Sequence, residues 1–113
     1  MVESFLKDFW KLLDDQNFLL KRRRDQKNKR TLTALGYNQK AVQQELKTLT
    51  IENFCKGPEE NEAYLGYIMV FGKQICGREV YIKLALTDES GVTRQATCIS
   101  FHFADHPITY PFG

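Results

Sequence analysis

The sequence is poor in the features that cross-link a chain or carry it into a membrane. Its three cysteines, Cys55, Cys76 and Cys98, are an odd number at scattered spacings, which argues against a disulfide framework and favours a reducing compartment. No apolar run approaches the length of a membrane span, and MVESFLKDFW at the N-terminus lacks the basic start and apolar run of a signal peptide. We therefore expect a cytoplasmic protein with no membrane partner.

Repeats, low-complexity segments and an interdomain linker are also missing from the sequence. Hydrophobic residues make up 42% and aromatic residues 12% of its 113 residues, a composition that excludes a disordered chain and is sufficient for a core without cross-links. We expect a single domain, 1–113, with a helical half over about residues 1–50 and a sheet half over about residues 64–105.

A large net charge is lacking too, since the formal value is +2. The charge is unevenly placed, however, because segment 21–30, KRRRDQKNKR, carries seven basic residues and one acid. Such a run is commonly a solvated loop. It can also hold a polyanion, and Arg22, Arg23 and Arg24 are candidates for contacts with an RNA backbone or with an acidic protein segment.

The N-terminal half shows helical periodicity. Apolar residues over 2–15 recur at the i, i+3, i+4, i+7 spacing of an amphipathic helix. A short strand is expected within 17–23, and a second helix, over about 29–35, is expected to end at Gly36. Asn38 is a good N-cap for a third helix, whose apolar face is Ala41, Val42, Leu46 and Leu49.

Beyond residue 64 the hydrophobic period changes to two. Segments 67–74, 78–86 and 95–103 are predicted to be strands joined by tight connections at ICG and TDESGVT, and 55–66 is predicted to be a loop. The expected fold class is α+β, with the N-terminal helices packed on an antiparallel sheet of three to four strands.

Alternation along the last two strands sorts their side chains onto two faces. The residues predicted to cover the helices are Val80, Ile82, Leu84, Ile99, Phe101 and Phe103. The residues predicted for the open face are Tyr81, Lys83, Ala85, Cys98, Ser100 and His102, with Lys73 and Arg78 at its edge. The open face therefore combines Tyr, Lys, Ser and His without a carboxylate.

These residue types suit the cleavage of RNA by its own 2′-hydroxyl. The reaction needs a base for that hydroxyl, cations for the developing charge and an acid for the leaving 5′-oxygen. His102 and the lysines can share the acid and base roles, while Tyr81 can donate a hydrogen bond or stack a base. The candidate RNA contacts are Lys73, Arg78, Lys83 and Ser100. Any exposed sheet face carries polar residues, so a solvent-facing surface without a ligand is the alternative.

Cys98, His102 and His106 have a spacing that faintly resembles a zinc set. On an extended strand, Cys98 would lie roughly 13 Å from His102, because the rise is about 3.3 Å per residue. A closed tetrahedral site would then demand a sharp bend. We therefore expect no metal and no cofactor.

Several segments together resemble the MqsR-like family of type II toxin–antitoxin toxins. VFGK, GREVYIKLAL and CISFHFADHPITYPF resemble the sheet of these proteins, FWKLLDDQNFLLKRR their first helix and strand, and LTIENFCKG their turn into the sheet. The resemblance implies a RelE-like α+β fold and a metal-independent mRNA endoribonuclease activity. It also implies two partners, mRNA and a cognate antitoxin, which is expected to be a helix-turn-helix DNA-binding protein.

Carried over residue by residue, the resemblance implies an active site of Lys56, Tyr81 and His102. Lys56 matches the family's lysine after the ENF turn, and Tyr81 matches the tyrosine of its G-x-(x)-V-Y-x-K strand. His102 stands where better-known members carry a lysine, and the glutamine that those members carry ahead of the tyrosine has no match. These departures keep open a second interpretation, a non-catalytic nucleic-acid or protein-binding module on the same fold.

Overall fold

In the part of the chain that the structure describes, three helices pack on a five-stranded mixed sheet. The computed structural model describes residues 1–61 and 64–113, with the side chains of all of these except 60, 61 and 64–67. The elements in chain order are α1 (Val2–Asp14), β1 (Phe18–Leu20), α2 (Lys27–Leu35), α3 (Gln39–Leu46), a 3₁₀ turn (Ile51–Asn53), β2 (Phe54–Asn61), β3 (Tyr64–Ile75), β4 (Arg78–Thr87) and β5 (Arg94–Phe103). The predicted α+β class is confirmed. None of the described helices is long and apolar enough to span a membrane.

The helix ends follow the capping residues of the sequence. Asn38 Oδ1 accepts a hydrogen bond from the Ala41 backbone N–H at 2.8 Å and so caps the start of α3. Gly36 ends α2 with a φ of 70°, a left-handed conformation that glycine adopts without strain. The helix α2 begins at Lys27, two residues earlier than predicted.

The sheet differs from the prediction in size and direction. Its strand order is β1-β5-β4-β3-β2, with β1 parallel to β5 and the other neighbours antiparallel. The sheet has one strand more than the predicted three to four, because β2 occupies part of the predicted loop, and it is mixed because β1 pairs in parallel with β5, a strand distant in sequence. The predicted loop 55–66 is also wrong, since β2 and the start of β3 cover it, apart from residues 62–63, which lie outside the described part.

The core lies between the helices and one face of the sheet. Phe5 and Phe9 of α1 pack on this face, with ring centroids 6.3 Å from Phe71 and 6.4 Å from Phe18, respectively. Burying each such side chain contributes about 1.5–3 kcal/mol relative to exposure. The opposite face, called the open face below, is crossed by the C-terminal strap, residues 104–113.

A β-bulge in β5 changes which side chains reach the open face. Lys83 pairs with Ser100, but the next residue of β4, Leu84, pairs with Cys98, so Ile99 is an extra residue. Cys98 is consequently buried in the helix-side core, whereas Ile99 packs on the open face. The predicted positions of these two side chains are therefore wrong, because the extra residue reverses the alternation.

Two buried polar residues of α2 hold the edge of β5 beyond the end of β1. Asn28 Oδ1 accepts from the Phe101 N–H at 2.8 Å, and its Nδ2 donates to the Ile99 carbonyl at 3.1 Å. Thr31 Oγ1 accepts from the Phe103 N–H at 3.0 Å. These contacts replace the missing strand ladder, so they fix the backbone of β5 at the bulge.

Candidate active site

A cavity of about 630 Å³ lies on the open face, where the sheet meets the C-terminal strap. Tyr81 and His102 are direct cross-strand partners, and so are Lys83 and Ser100. The cavity, called the site cavity below, is lined by Arg23, Lys27, Cys55, Lys56, Tyr81, Lys83, Ser100, His102, Asp105, His106, Pro107, Ile108 and Thr109. The structure thus brings together the three predicted catalytic residues and three of the predicted RNA contacts, Lys83, Ser100 and Arg23.

Lys56 reaches the site cavity because β2 bulges. Phe54 pairs with Phe71 and Lys56 pairs with the adjacent Val70, so Cys55 and Lys56 together take the place of one residue. Phe54 packs in the helix-side core, while the two residues after it line the cavity. In a regular strand Lys56 would share the face of Phe54 and would point away from Tyr81.

The His102 ring is enclosed, and its hydrogen bond indicates which ring nitrogen carries the hydrogen. The side chain is 6% exposed, and its ring stacks on Tyr81 with centroids 5.3 Å apart and an interplanar angle of 22°. Nδ1 lies 3.0 Å from the Phe103 carbonyl oxygen. A carbonyl only accepts, so Nδ1 carries the hydrogen of the neutral ring and Nε2 remains a proton acceptor.

The surroundings of His102 and Tyr81 favour the neutral form of both rings. Burial lowers the pKa of His102 against the effect of its hydrogen bond to Phe103, and the charges of Arg23 and Lys27 lower it further. Burial raises the pKa of Tyr81, although the nearby charge of Lys56 opposes this. Near pH 7 the site therefore offers an imidazole base and a phenol that keeps its proton.

Arg23 lines the site cavity and is held there by several hydrogen bonds. Its Nη1 donates to Ser100 Oγ at 2.6 Å, while Nε and Nη2 donate to the Asp25 carboxylate at 3.0 and 2.7 Å. The hydrogen bonds with Asp25 raise the pKa of Arg23 and hold the pKa of the carboxyl well below its usual range. Arg22 and Arg24 of the same segment are exposed and do not line the site cavity.

Two carboxylates lie at this site, contrary to the prediction that it has none. The Glu59 carboxylate bridges two lysines, with one oxygen 3.6 Å from Lys56 Nζ and the other 3.8 Å from Lys83 Nζ. Asp105 lies 2.7 Å from Lys27 Nζ, a hydrogen bond that lowers the pKa of Asp105. The sequence could not indicate these contacts, because Glu59 falls in the predicted loop and Asp105 in the tail.

Lys73 and Arg78 do not lie at this site. Lys73 pairs with the core residue Val80, and its ammonium group donates to Glu45 and Thr48 on the helix side. The guanidinium carbon of Arg78 lies 3.5 Å from the ring centroid of Phe103. The predicted position of both cations at the edge of the open face is wrong, because the alternation of their strands turns them towards the helices.

The C-terminal strap forms one wall of the site cavity and is held by Glu79. Glu79 accepts from the Ile108 N–H at 2.9 Å and from the Tyr110 hydroxyl at 2.8 Å. Gly72 lies beneath the strap, and a Cβ there would come within 2.7 Å of Ile108 Cδ1. The strap also carries His106 into the lining, a residue that the sequence did not predict as part of the site.

The zinc-like spacing does not correspond to a site. Cys98 is buried on the helix side, its Sγ donates to the Ser100 carbonyl at 3.4 Å, and burial raises the pKa of its thiol. His102 lies on the other face of the sheet, so the two side chains cannot share a ligand. Among residues 1–61 and 64–113, no three His, Cys, Asp or Glu side chains are grouped to hold a metal ion.

Comparisons of the chain with protein-family models, with curated proteins and with solved structures found no match. The resemblance to MqsR-like toxins therefore stays a prediction from sequence segments. The chemistry available to the protein has to be inferred from the site cavity itself.

Proposed function

We propose that this protein is a metal-independent endoribonuclease that cleaves mRNA, the toxin of a type II toxin–antitoxin system. The observation that carries the proposal is the stacked pair of Tyr81 and a neutral His102, flanked in one cavity by Arg23, Lys56 and Lys83. This set supplies the base, the proton donors and the cations that attack by a 2′-hydroxyl requires.

In the proposed reaction, His102 Nε2 takes the proton of the ribose 2′-hydroxyl, and the 2′-oxygen attacks the adjacent phosphorus. Arg23 and Lys83 neutralise the charge that develops on the non-bridging oxygens, and the Tyr81 hydroxyl donates a hydrogen bond to one of them. The bond from phosphorus to the 5′-oxygen breaks, and Lys56 gives that oxygen a proton. The products are a 2′,3′-cyclic phosphate and a 5′-hydroxyl end.

The cellular part of the proposal rests on the sequence resemblance. It comprises arrest of growth and inhibition by a cognate antitoxin, expected to be a helix-turn-helix DNA-binding protein. The proposed cytoplasmic location rests instead on the odd number of scattered cysteines. Expression without a neighbouring antitoxin gene should arrest bacterial growth, and His102→Gln or Tyr81→Phe should relieve the arrest at equal protein level. Harmless expression of the folded wild type, with cellular RNA intact, would contradict the toxin proposal.

A non-catalytic nucleic-acid or protein-binding module on the same fold is the second candidate. The observation that favours it is the pairing of the cavity lysines with carboxylates, Lys56 and Lys83 with Glu59 and Lys27 with Asp105. These pairs reduce the positive charge that is left to stabilise a transition state. Tight binding of RNA without any cleavage by the purified wild type would support this candidate.

A further inference from the structure

A second cavity, of about 750 Å³, lies beside the loop between β1 and α2. Its lining combines the cations Arg22, Arg23 and Lys29 with the apolar surface of Leu32 and Tyr37. No Asp or Glu occurs in the part of the lining that the structure describes. The second cavity therefore differs from the site cavity, whose lining includes Asp105.

Arg23 connects the two cavities, because it lines both of them. Its guanidinium is fixed by Asp25 and Ser100, so a cation of defined position lies at the junction. Arg22 and Lys29 are exposed, and neither makes an ion pair within the described residues. They are consequently available to an external anion.

We infer that the second cavity binds the sugar–phosphate backbone of the single-stranded RNA that flanks the cleaved bond. Arg23 contacts the phosphate at the junction, and Arg22 and Lys29 contact phosphates farther along the strand. Leu32 and Tyr37 supply apolar surface for a base of the flanking segment. RNA is a better match than an acidic protein segment because Arg23 lines both this cavity and the site cavity, where an RNA phosphate would react. The inference rests on the proposed function for its occupant.

The test measures binding and cleavage separately. Binding of fluorescent 2′-O-methyl oligonucleotides, which have no free 2′-hydroxyl to attack, is followed by anisotropy for a dinucleotide and for an octanucleotide. The variant is Arg22→Ala/Lys29→Ala. The matched control is Lys7→Ala/Lys11→Ala, which removes the same charge from exposed positions of α1 that line neither cavity.

The double variant should bind the octanucleotide about tenfold more weakly than the wild type. The slope of log K against log salt should also become about 1.4 less steep, because each lost contact with a single-strand phosphate reduces it by about 0.7. Its binding of the dinucleotide should not change, and the control should match the wild type with both ligands. Circular dichroism and the thermal midpoint should be unchanged in both variants, because the substituted side chains are exposed.

Three results would overturn the inference: equal octanucleotide affinity in the wild type and the double variant, an equal loss of dinucleotide binding, or displacement of the octanucleotide by a poly-glutamate peptide at lower concentration than by unlabelled RNA. The last result would assign the cavity to an acidic protein. If the predicted length dependence is found but the wild type cleaves no RNA, the binding site stands and the proposed nuclease activity fails. If the wild type cleaves RNA but the double variant shows no length-dependent loss of binding, the nuclease activity stands and the proposed RNA contact in the second cavity fails.

Discussion

The state of His102 links the chemistry of the site to the stability of the fold. The folded chain lowers the pKa of this imidazole through burial and through the charges of Arg23 and Lys27, although the hydrogen bond to Phe103 and the charge of Asp105 act in the other direction. In the unfolded chain a histidine has a pKa of about 6.5. The unfolded chain therefore takes up a proton at this position at a higher pH than the folded chain does.

The free energy of unfolding should fall as the pH drops below about 6.5, down to the lower pKa that His102 has in the folded chain. His102→Gln should remove part of this dependence, because glutamine does not titrate. Urea unfolding at about pH 5 and about pH 7.5 measures the difference for each protein. The variant His106→Gln serves as the control, since its imidazole is exposed. The same pH dependence in wild type and His102→Gln would contradict the lowered pKa.

Glu59 is the carboxylate that an RNA phosphate has to displace from Lys56 and Lys83. Its oxygens lie 3.6 and 3.8 Å from the two ammonium groups, and a partly exposed pair of this kind is worth about 0.2–1 kcal/mol. Glu59→Gln should therefore tighten RNA binding by up to about fivefold.

The matched control for this substitution is Asp14→Asn, which removes an ion pair with Lys47 remote from both cavities. Affinity for a 2′-O-methyl oligonucleotide is the measurement, and the control should leave it unchanged. If Glu59→Gln weakens binding, the carboxylate contributes to the RNA site rather than competing with RNA.

At the scale of elements, two β-bulges determine which residues can meet. Regular alternation correctly predicts that Tyr81 and Lys83 share a face with Ser100 and His102, because these positions pair after the bulge of β5 has been passed. Alternation fails at Ile99, the extra residue. It gives no account of Lys56, because the bulge of β2 depends on pairing with β3 and leaves no local signal in the sequence.

Asn28 should be essential for the bulge of β5. Asn28→Ala removes the partners of the Phe101 N–H and the Ile99 carbonyl and leaves buried polar groups unsatisfied, which should cost about 3 kcal/mol. Urea unfolding measures the loss. Thr33→Ala on the exposed side of the same helix should change stability by less than about 0.5 kcal/mol. A loss below about 1 kcal/mol in Asn28→Ala would show that other contacts hold the bulge.

The position of the C-terminal strap should depend on the absence of a side chain at Gly72. Gly72→Ala places a methyl group against the Tyr110 hydroxyl and Ile108, and it should destabilise the protein by about 1–3 kcal/mol. Tyr110→Phe removes the hydroxyl that the methyl group meets, but it also loses the hydrogen bond to Glu79. The double variant should therefore lose less stability than the sum of the two single losses.

Urea unfolding of the four proteins gives the coupling between Gly72 and Tyr110, and limited proteolysis reports release of the strap. We expect faster cleavage within residues 104–113 of Gly72→Ala than of the wild type. Strict additivity together with an unchanged proteolysis pattern would mean that the strap does not rest on Gly72.

At the scale of the whole molecule, the sequence predicts the helices and the three long strands because their signals are local. Asn38, Gly36 and the apolar stripe of α1 are each visible within a few residues. The parallel pairing of β1 with β5 joins Phe18 to Ala96 across most of the chain, and short-range patterns do not contain such information. The helices and the main core lie on one face of the sheet, and Tyr81 and His102 lie on the other.

The central claim is that the site cavity cleaves RNA with the 2′-hydroxyl as the nucleophile. The most direct measurement incubates an mRNA transcript in EDTA with the wild type and with His102→Gln, purified in parallel, and determines the chemical ends of the fragments. We predict fragments with 2′,3′-cyclic phosphate and 5′-hydroxyl ends from the wild type, at a rate at least about 100-fold above that of the variant. Intact RNA, equal cleavage by both proteins, or 5′-phosphate ends would contradict the claim.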